Sequence, residues 1–101
     1  MLTFKHHFPT STQVALRTPL IMRVPWKPNS TGRVTSVLAE AVDLYPTLAA
    51  LVGLPEPSSM GQQLNGTNLE PVFDDPDATT HLKRAAYSQF AKPHRKVIHI
   101  I

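Results

Sequence analysis

The sequence predicts a mixed α/β architecture from three features. A helical stretch ends in a glycine–proline stop, two short runs rich in apolar and β-branched residues precede it, and a third strand-like run follows a long loop. The order strand, strand, helix, long loop, strand fits a piece of an α/β layer. Two or three strands and one helix leave apolar faces uncovered in a chain of 101 residues. The expectation is therefore part of a domain, not a closed one.

Each element has a local reason. Residues Met1 to Thr10 show no clear period, and Gln13 to Arg17 is short and ambiguous. Pro19-Leu-Ile-Met-Arg-Val-Pro25 is an apolar run between prolines, the length of a buried strand. Trp26 to Gly32 has the composition of a loop. Val34 to Val42 opens with β-branched residues and is read as a strand running into the helix, although Leu38 to Ala41 also suits a helix. In the helix itself, Asp43 is expected to cap the N-terminus and Pro46 to sit in the first turn, where its missing N–H costs nothing. Leu44, Leu48, Leu51 and Val52 form one apolar stripe at helical spacing. Gly53 suits the left-handed position after the last turn, and Pro55 prevents resumption.

Pro55 to Asn68 reads as a long loop with a turn signal at Asn65-Gly66. Leu69 to Phe73 is too short to classify, and Asp74 to Asp77 is an acidic turn. Arg84 to Phe90 has strand composition at its end, Lys92 to Lys96 is a basic run expected to be a solvated tail, and Val97 to Ile101 is an apolar tail.

Composition narrows the function classes. The hydrophobic fraction is 42%, too high for compositional disorder, while 10 prolines and 7% aromatics predict many loops. No apolar run approaches the roughly 20 residues that span a bilayer, and the first residues lack the apolar core of a signal peptide. There is no cysteine, so this chain has no disulfide, thiolate metal site or cysteine nucleophile. The net charge of +3 is unevenly placed: every acid lies between Glu40 and Asp77, and every base lies before Val34 or after Leu82. Solvated basic flanks around an acidic middle are the expected arrangement. A nucleic-acid surface would interleave bases with aromatics on one element, and here only Trp26 lies near the scattered Arg17, Arg23, Lys27 and Arg33.

Four blocks, in order, resemble the late catalytic domain of sulfatases. Gln13-Val-Ala-Leu-Arg-Thr-Pro-Leu-Ile21 resembles an Ala-x-Arg-x-Pro-Leu-Ile segment entering a core strand, and Ala41-Val-Asp-Leu-Tyr-Pro-Thr-Leu48 with Gly53-Leu-Pro55 is similar to the family's Asp-Leu-Tyr-Pro-Thr-Leu helix. Gly61-Gln-Gln-Leu with Leu69-Glu-Pro-Val-Phe73 looks like the loop that follows, and Arg84-Ala-Ala-Tyr-Ser-Gln-Phe90 is closest to iduronate-2-sulfatase-like members. The resemblance divides the chain into a divergent N-terminal extension (1–10), a sulfatase-like catalytic-domain fragment (11–93) and a divergent tail (94–101). It implies a partial α/β/α sandwich.

For the intact parent the resemblance implies a sulfuric ester hydrolase of the alkaline-phosphatase-like superfamily, acting on sulfated carbohydrate in a lysosomal or secreted setting. Such enzymes use formylglycine made in a Cys/Ser-x-Pro-x-Arg motif, and Ca²⁺ held by carboxyl and amide oxygens. Neither that motif nor Asp-His-Gly occurs here. The place of the sulfate-contacting lysine falls at Phe8, with Lys5 three positions too early. The chain alone is thus expected to be inactive, with no catalytic, cofactor-binding or metal residue of its own. It would supply scaffold, with the rest of the sulfatase domain as its partner and neither nucleic acid nor membrane expected. The alternative is a non-enzymatic truncated paralogue acting as an interaction module.

Several residues invite a functional reading that a plainer one outweighs. His6-His7 could ligate metal, but adjacent histidines point apart and no carboxylate is near in sequence. Asp74, Asp75 and Asp77 lack calcium-loop spacing and a distal glutamate. Arg17 suits a structural ion pair, Asp43 is taken up by capping, and Ser88 has no triad partners nearby in sequence. Asn29-Ser-Thr31 and Asn65-Gly-Thr67 are glycosylation acceptors in loops, which fits the lysosomal or secreted setting.

Overall fold

A computed structural model describes residues 1–4, 18–77, 81–92 and 95–100. Mixed α/β content is present. Strands β1 (Leu2–Phe4), β2 (Leu20–Met22) and β3 (Val34–Thr35) form one sheet, helices α1 (Leu44–Leu51) and α2 (Pro71–Asp74) follow, and β4 (Tyr87–Lys92) pairs with β5 (Arg95–Ile100) as a separate hairpin. In the first sheet β1 is central, antiparallel to β2 and parallel to β3. The segment without a period thus contributes the middle strand, and the expected basic and apolar tails contribute β5.

Register sorts the sheet's faces. Leu2 stands opposite Met22, while Thr3 stands opposite both Ile21 and Val34. Directly opposed residues share a face. Leu2 is fully buried and Met22 packs against the core, whereas Ile21 and Val34 are half exposed. The Pro19–Pro25 run is therefore an edge strand covered on one side, not a strand buried on both. The core beneath the sheet joins Leu2, Val24, Val37, Leu51, Leu69, Val72 and Phe73. Phe73, its largest fully buried side chain, comes from the run too short to classify, which forms the single turn of α2.

The expected Val34–Val42 strand stops at Thr35. The Thr35 hydroxyl donates to the Pro76 carbonyl (2.8 Å) and accepts from the Val37 N–H (3.2 Å). That side chain takes a backbone donor a longer ladder would have used. The chain then enters a 3-10 turn, Ala41–Asp43, that leads directly into α1.

Helix α1 departs from the sequence reading at its start and on its face. Asp43 holds the expected N-cap position, but it has helical dihedrals (φ −78°, ψ −18°) and its side chain makes no cap hydrogen bond to α1; Glu40, in extended conformation, caps the 3-10 turn that leads into the helix. Asp43 instead reaches back from the third position, accepting the Glu40 N–H at 2.7 Å. The expected stripe is also rotated. Pro46, Thr47, Ala49 and Leu51 are buried, while Leu48 and Val52 join Val42 and Tyr45 on an exposed apolar row. The C-terminus follows the sequence reading. Gly53 has φ +71°, its N–H donates to Ala50 O (3.0 Å), and the Leu54 N–H donates to Ala49 O (2.9 Å). These two bonds make a Schellman stop.

The Asn65-Gly66 signal has a different cause. Gly66 lacks a positive φ, and a Cβ there would lie 2.0 Å from the Val42 carbonyl oxygen. Glycine is needed at 66 for space and at 53 for conformation. Gly66→Asn should therefore cost about 1–3 kcal/mol, as overpacking does. Gly53→Asn should cost less than about 1 kcal/mol, because asparagine tolerates the left-handed region. Urea unfolding followed by far-ultraviolet circular dichroism measures both. Equal losses would contradict the distinction.

Candidate functional site

The most concentrated polar chemistry among the described residues centres on Asp43, which is fully buried. Its Oδ1 accepts the Thr67 N–H at 2.7 Å, and its Oδ2 accepts the Glu40 N–H and the Lys83 ammonium. Lys83 also pairs with Glu40, whose Oε1 accepts the Tyr87 N–H at 2.8 Å. One turn along α1, the Thr47 hydroxyl donates to the Asp43 carbonyl (2.6 Å) and accepts the Leu69 N–H (2.9 Å). The cluster therefore ties the start of α1 to the 67–69 segment and to the approach of β4.

Its electrostatics do not suit reactive chemistry. Burial pulls the Lys83 ammonium down, but hydrogen bonds and charge from Asp43 and Glu40 outweigh it, leaving the pKa above the ordinary 10.5. A lysine held protonated at neutral pH is neither nucleophile nor base. Both oxygens of Asp43 are occupied by donors from three segments. The arrangement is a clamp.

A second polar seam joins the 27–33 segment to α2 and the turn after it. Lys27 bridges Glu70 (3.3 Å) and Asp74 (2.8 Å), and Arg33 pairs with Asp77. The hydrogen bond to Asp74 raises the Lys27 ammonium above its ordinary value. The Asn29 carboxamide donates to the Asp74 carbonyl at 3.3 Å. At these positions the basic flanks are folded onto the acidic middle as ion pairs, with Lys27 largely covered and Arg33 still exposed.

Asp74 and Asp77 are thus held by different cations, and the Asp75 carboxylate accepts the Asp77 N–H at 3.3 Å. Among the described residues no group of three His, Cys, Asp or Glu side chains is arranged to hold a metal ion, and no helix is long and apolar enough to cross a membrane. His6, His7, Phe8 and Arg17 lie outside the described residues, as does the rest of the Gln13 to Arg17 run. The backbone of Ser88 lies in β4. Sequence reasoning missed Glu40 and Lys83. The Glu40-x-x-Asp43 spacing carries a local capping signal for the first, but nothing local marks Lys83, 40 residues from Asp43.

No protein-family model matches the chain, and no curated protein or solved structure matches it either.

Removing one partner of this clamp leaves buried groups unpaired. Asp43→Ala should destabilise the fold by about 3–5 kcal/mol, measured by urea denaturation. A raised lysine pKa makes its contribution complete below the unfolded value near 10.5 and lost as pH rises through the folded value. The thermal midpoint should thus fall above pH ~10.5, and Lys83→Met should flatten that alkaline slope. An unchanged slope in Lys83→Met would remove Lys83 as its source.

Proposed function

We propose that this chain is a scaffold portion of a sulfatase-like catalytic domain, similar to iduronate-2-sulfatase-like members, whose intact parent hydrolyses sulfate esters of glycans. One observation carries the reading. The Asp43–Pro55 run, which bears the most specific resemblance, forms a helix clamped on its inner face and bare on its outer one. Thr47 and Leu51 face inward, while Val42, Tyr45, Leu48 and Val52 form an apolar row in solvent. A helix that ends in a Schellman stop and is pinned by a buried carboxylate is fully specified, so its bare row is a face awaiting a second layer.

The sheet supports the same reading, since Ile21 and Val34 on its outer face are half exposed. Strands in parallel pairing, such as β1 and β3, are usually covered on both sides.

Formylglycine and Ca²⁺ do not fit the residues present. The modification motif is missing from the sequence, and the acidic residues of the 74–77 turn are occupied by Lys27, Arg33 and backbone. In this reading both groups belong to other parts of the parent. The second reading, a non-enzymatic interaction module, draws on the same bare row and needs no catalytic parent.

A full-length transcript read distinguishes the two. The sulfatase reading expects the frame to continue upstream into Cys/Ser-x-Pro-x-Arg and Asp-His-Gly motifs. A mature message encoding only these 101 residues would overturn it in favour of the interaction module. The purified chain is expected to leave an aryl sulfate untouched, and turnover above a heat-killed control would contradict the scaffold role.

A further inference from the structure

Two Asn-x-Thr tripeptides lie at the surface, and the fold holds them differently. Asn29 sits in the 3-10 turn Pro28–Ser30, part of the Lys27–Asp74 seam. Its carboxamide donates to the Asp74 carbonyl, and the residue after it, Ser30, is buried with its hydroxyl donating to the Lys27 carbonyl at 2.8 Å. Asn65 is exposed in an irregular segment, and its carboxamide makes no hydrogen bond to a described residue. The backbone just after it is fixed: Gly66 presses on the Val42 carbonyl, and the Thr67 N–H is held by Asp43 at 2.7 Å. A free carboxamide on an anchored, non-helical backbone, with glycine at the middle position, suits an asparagine that carries a bulky surface group.

We propose that Asn65 is the N-glycan acceptor of this chain, and that Asn29 serves the seam instead. In the transfer, a bond forms between Asn65 Nδ2 and the anomeric carbon of an oligosaccharide. The bond from that carbon to the diphosphate of a lipid-linked donor breaks, and one amide proton is lost. Asn65 is exposed and takes no part in the clamp, so the attached sugar disturbs none of the clamp's hydrogen bonds. The proposal rests on the two tripeptides and holds whether or not the chain belongs to a sulfatase.

The test is translation of the full chain behind a secretion leader in the presence of endoplasmic-reticulum microsomes. Mobility is compared before and after peptide N-glycosidase, and the site is mapped by mass spectrometry in heavy-oxygen water. One glycan is expected, lost in Asn65→Gln and in Thr67→Ala and kept in Asn29→Gln. No glycan on the full chain, or a glycan unchanged by Asn65→Gln, overturns the proposal. Thermal unfolding of the unglycosylated variants gives an independent reading: Asn29→Gln should lower the midpoint and Asn65→Gln should not. The reverse order would overturn the assignment of roles.

Discussion

The buried carboxylate of Asp43 is the constraint on which the rest of the structure depends. A fully buried charge is tolerated only when paired and hydrogen-bonded, and this one draws donors from residues 40, 67 and 83. Those demands fix three things at once. They bring the 66–69 segment so close to the helix start that residue 66 must be glycine. They bring Lys83 and the approach of β4 against the same helix start. They also turn α1 so that Thr47, one helical turn beyond Asp43, faces inward and satisfies the buried Leu69 N–H. Leu48 and Val52 then face outward because the polar clamp has taken the inner face.

The uneven charge along the chain follows from the same folding. Acids concentrated between Glu40 and Asp77 would repel one another in isolation. Lys27 and Arg33 from the first part of the chain, and Lys83 from the last, supply the counter-charges. Exposed pairs such as Arg33–Asp77 contribute little to stability individually. Their value is in register, because they hold the 74–77 turn against the 27–35 segment, where the Thr35 hydroxyl meets the Pro76 carbonyl. The expectation of solvated flanks did not anticipate this, because sequence separation hides pairings across more than 40 residues.

What was legible in the sequence was local. The glycine–proline stop of α1, the mostly irregular segment after it (broken by a 3-10 turn at Pro57–Met60) and the strand ending Arg84 to Phe90 rest on φ preferences and on the aromatics Tyr87 and Phe90, which act within a few residues. What was not legible depended on contacts between distant residues. The α1 stripe was misplaced because hydrophobic spacing cannot see a buried carboxylate. Asn65-Gly66 resembled a turn because space and left-handed φ select the same residue. The role of Thr35 in ending its strand needs Pro76, 41 residues away. Of the candidate site, the Glu40-x-x-Asp43 spacing was readable as a capping signal, but its cation was not.

The clamp and the bare faces together support the proposed scaffold reading. A chain that merely lacked a core would be expected to have poorly satisfied polar groups as well as exposed apolar ones. Here the interior polar groups of the α1 region are paired with defined partners, and the apolar exposure falls on two ordered surfaces, the Ile21–Val34 row of the sheet and the Val42–Val52 row of the helix. Buried polar pairs stabilise weakly against an apolar alternative but are costly to break. They favour one arrangement of segments over others more than they add to its depth. A piece held in this way keeps the geometry of its outer faces even where its own core is small. That is the property a scaffold element needs when a further layer is to pack against it.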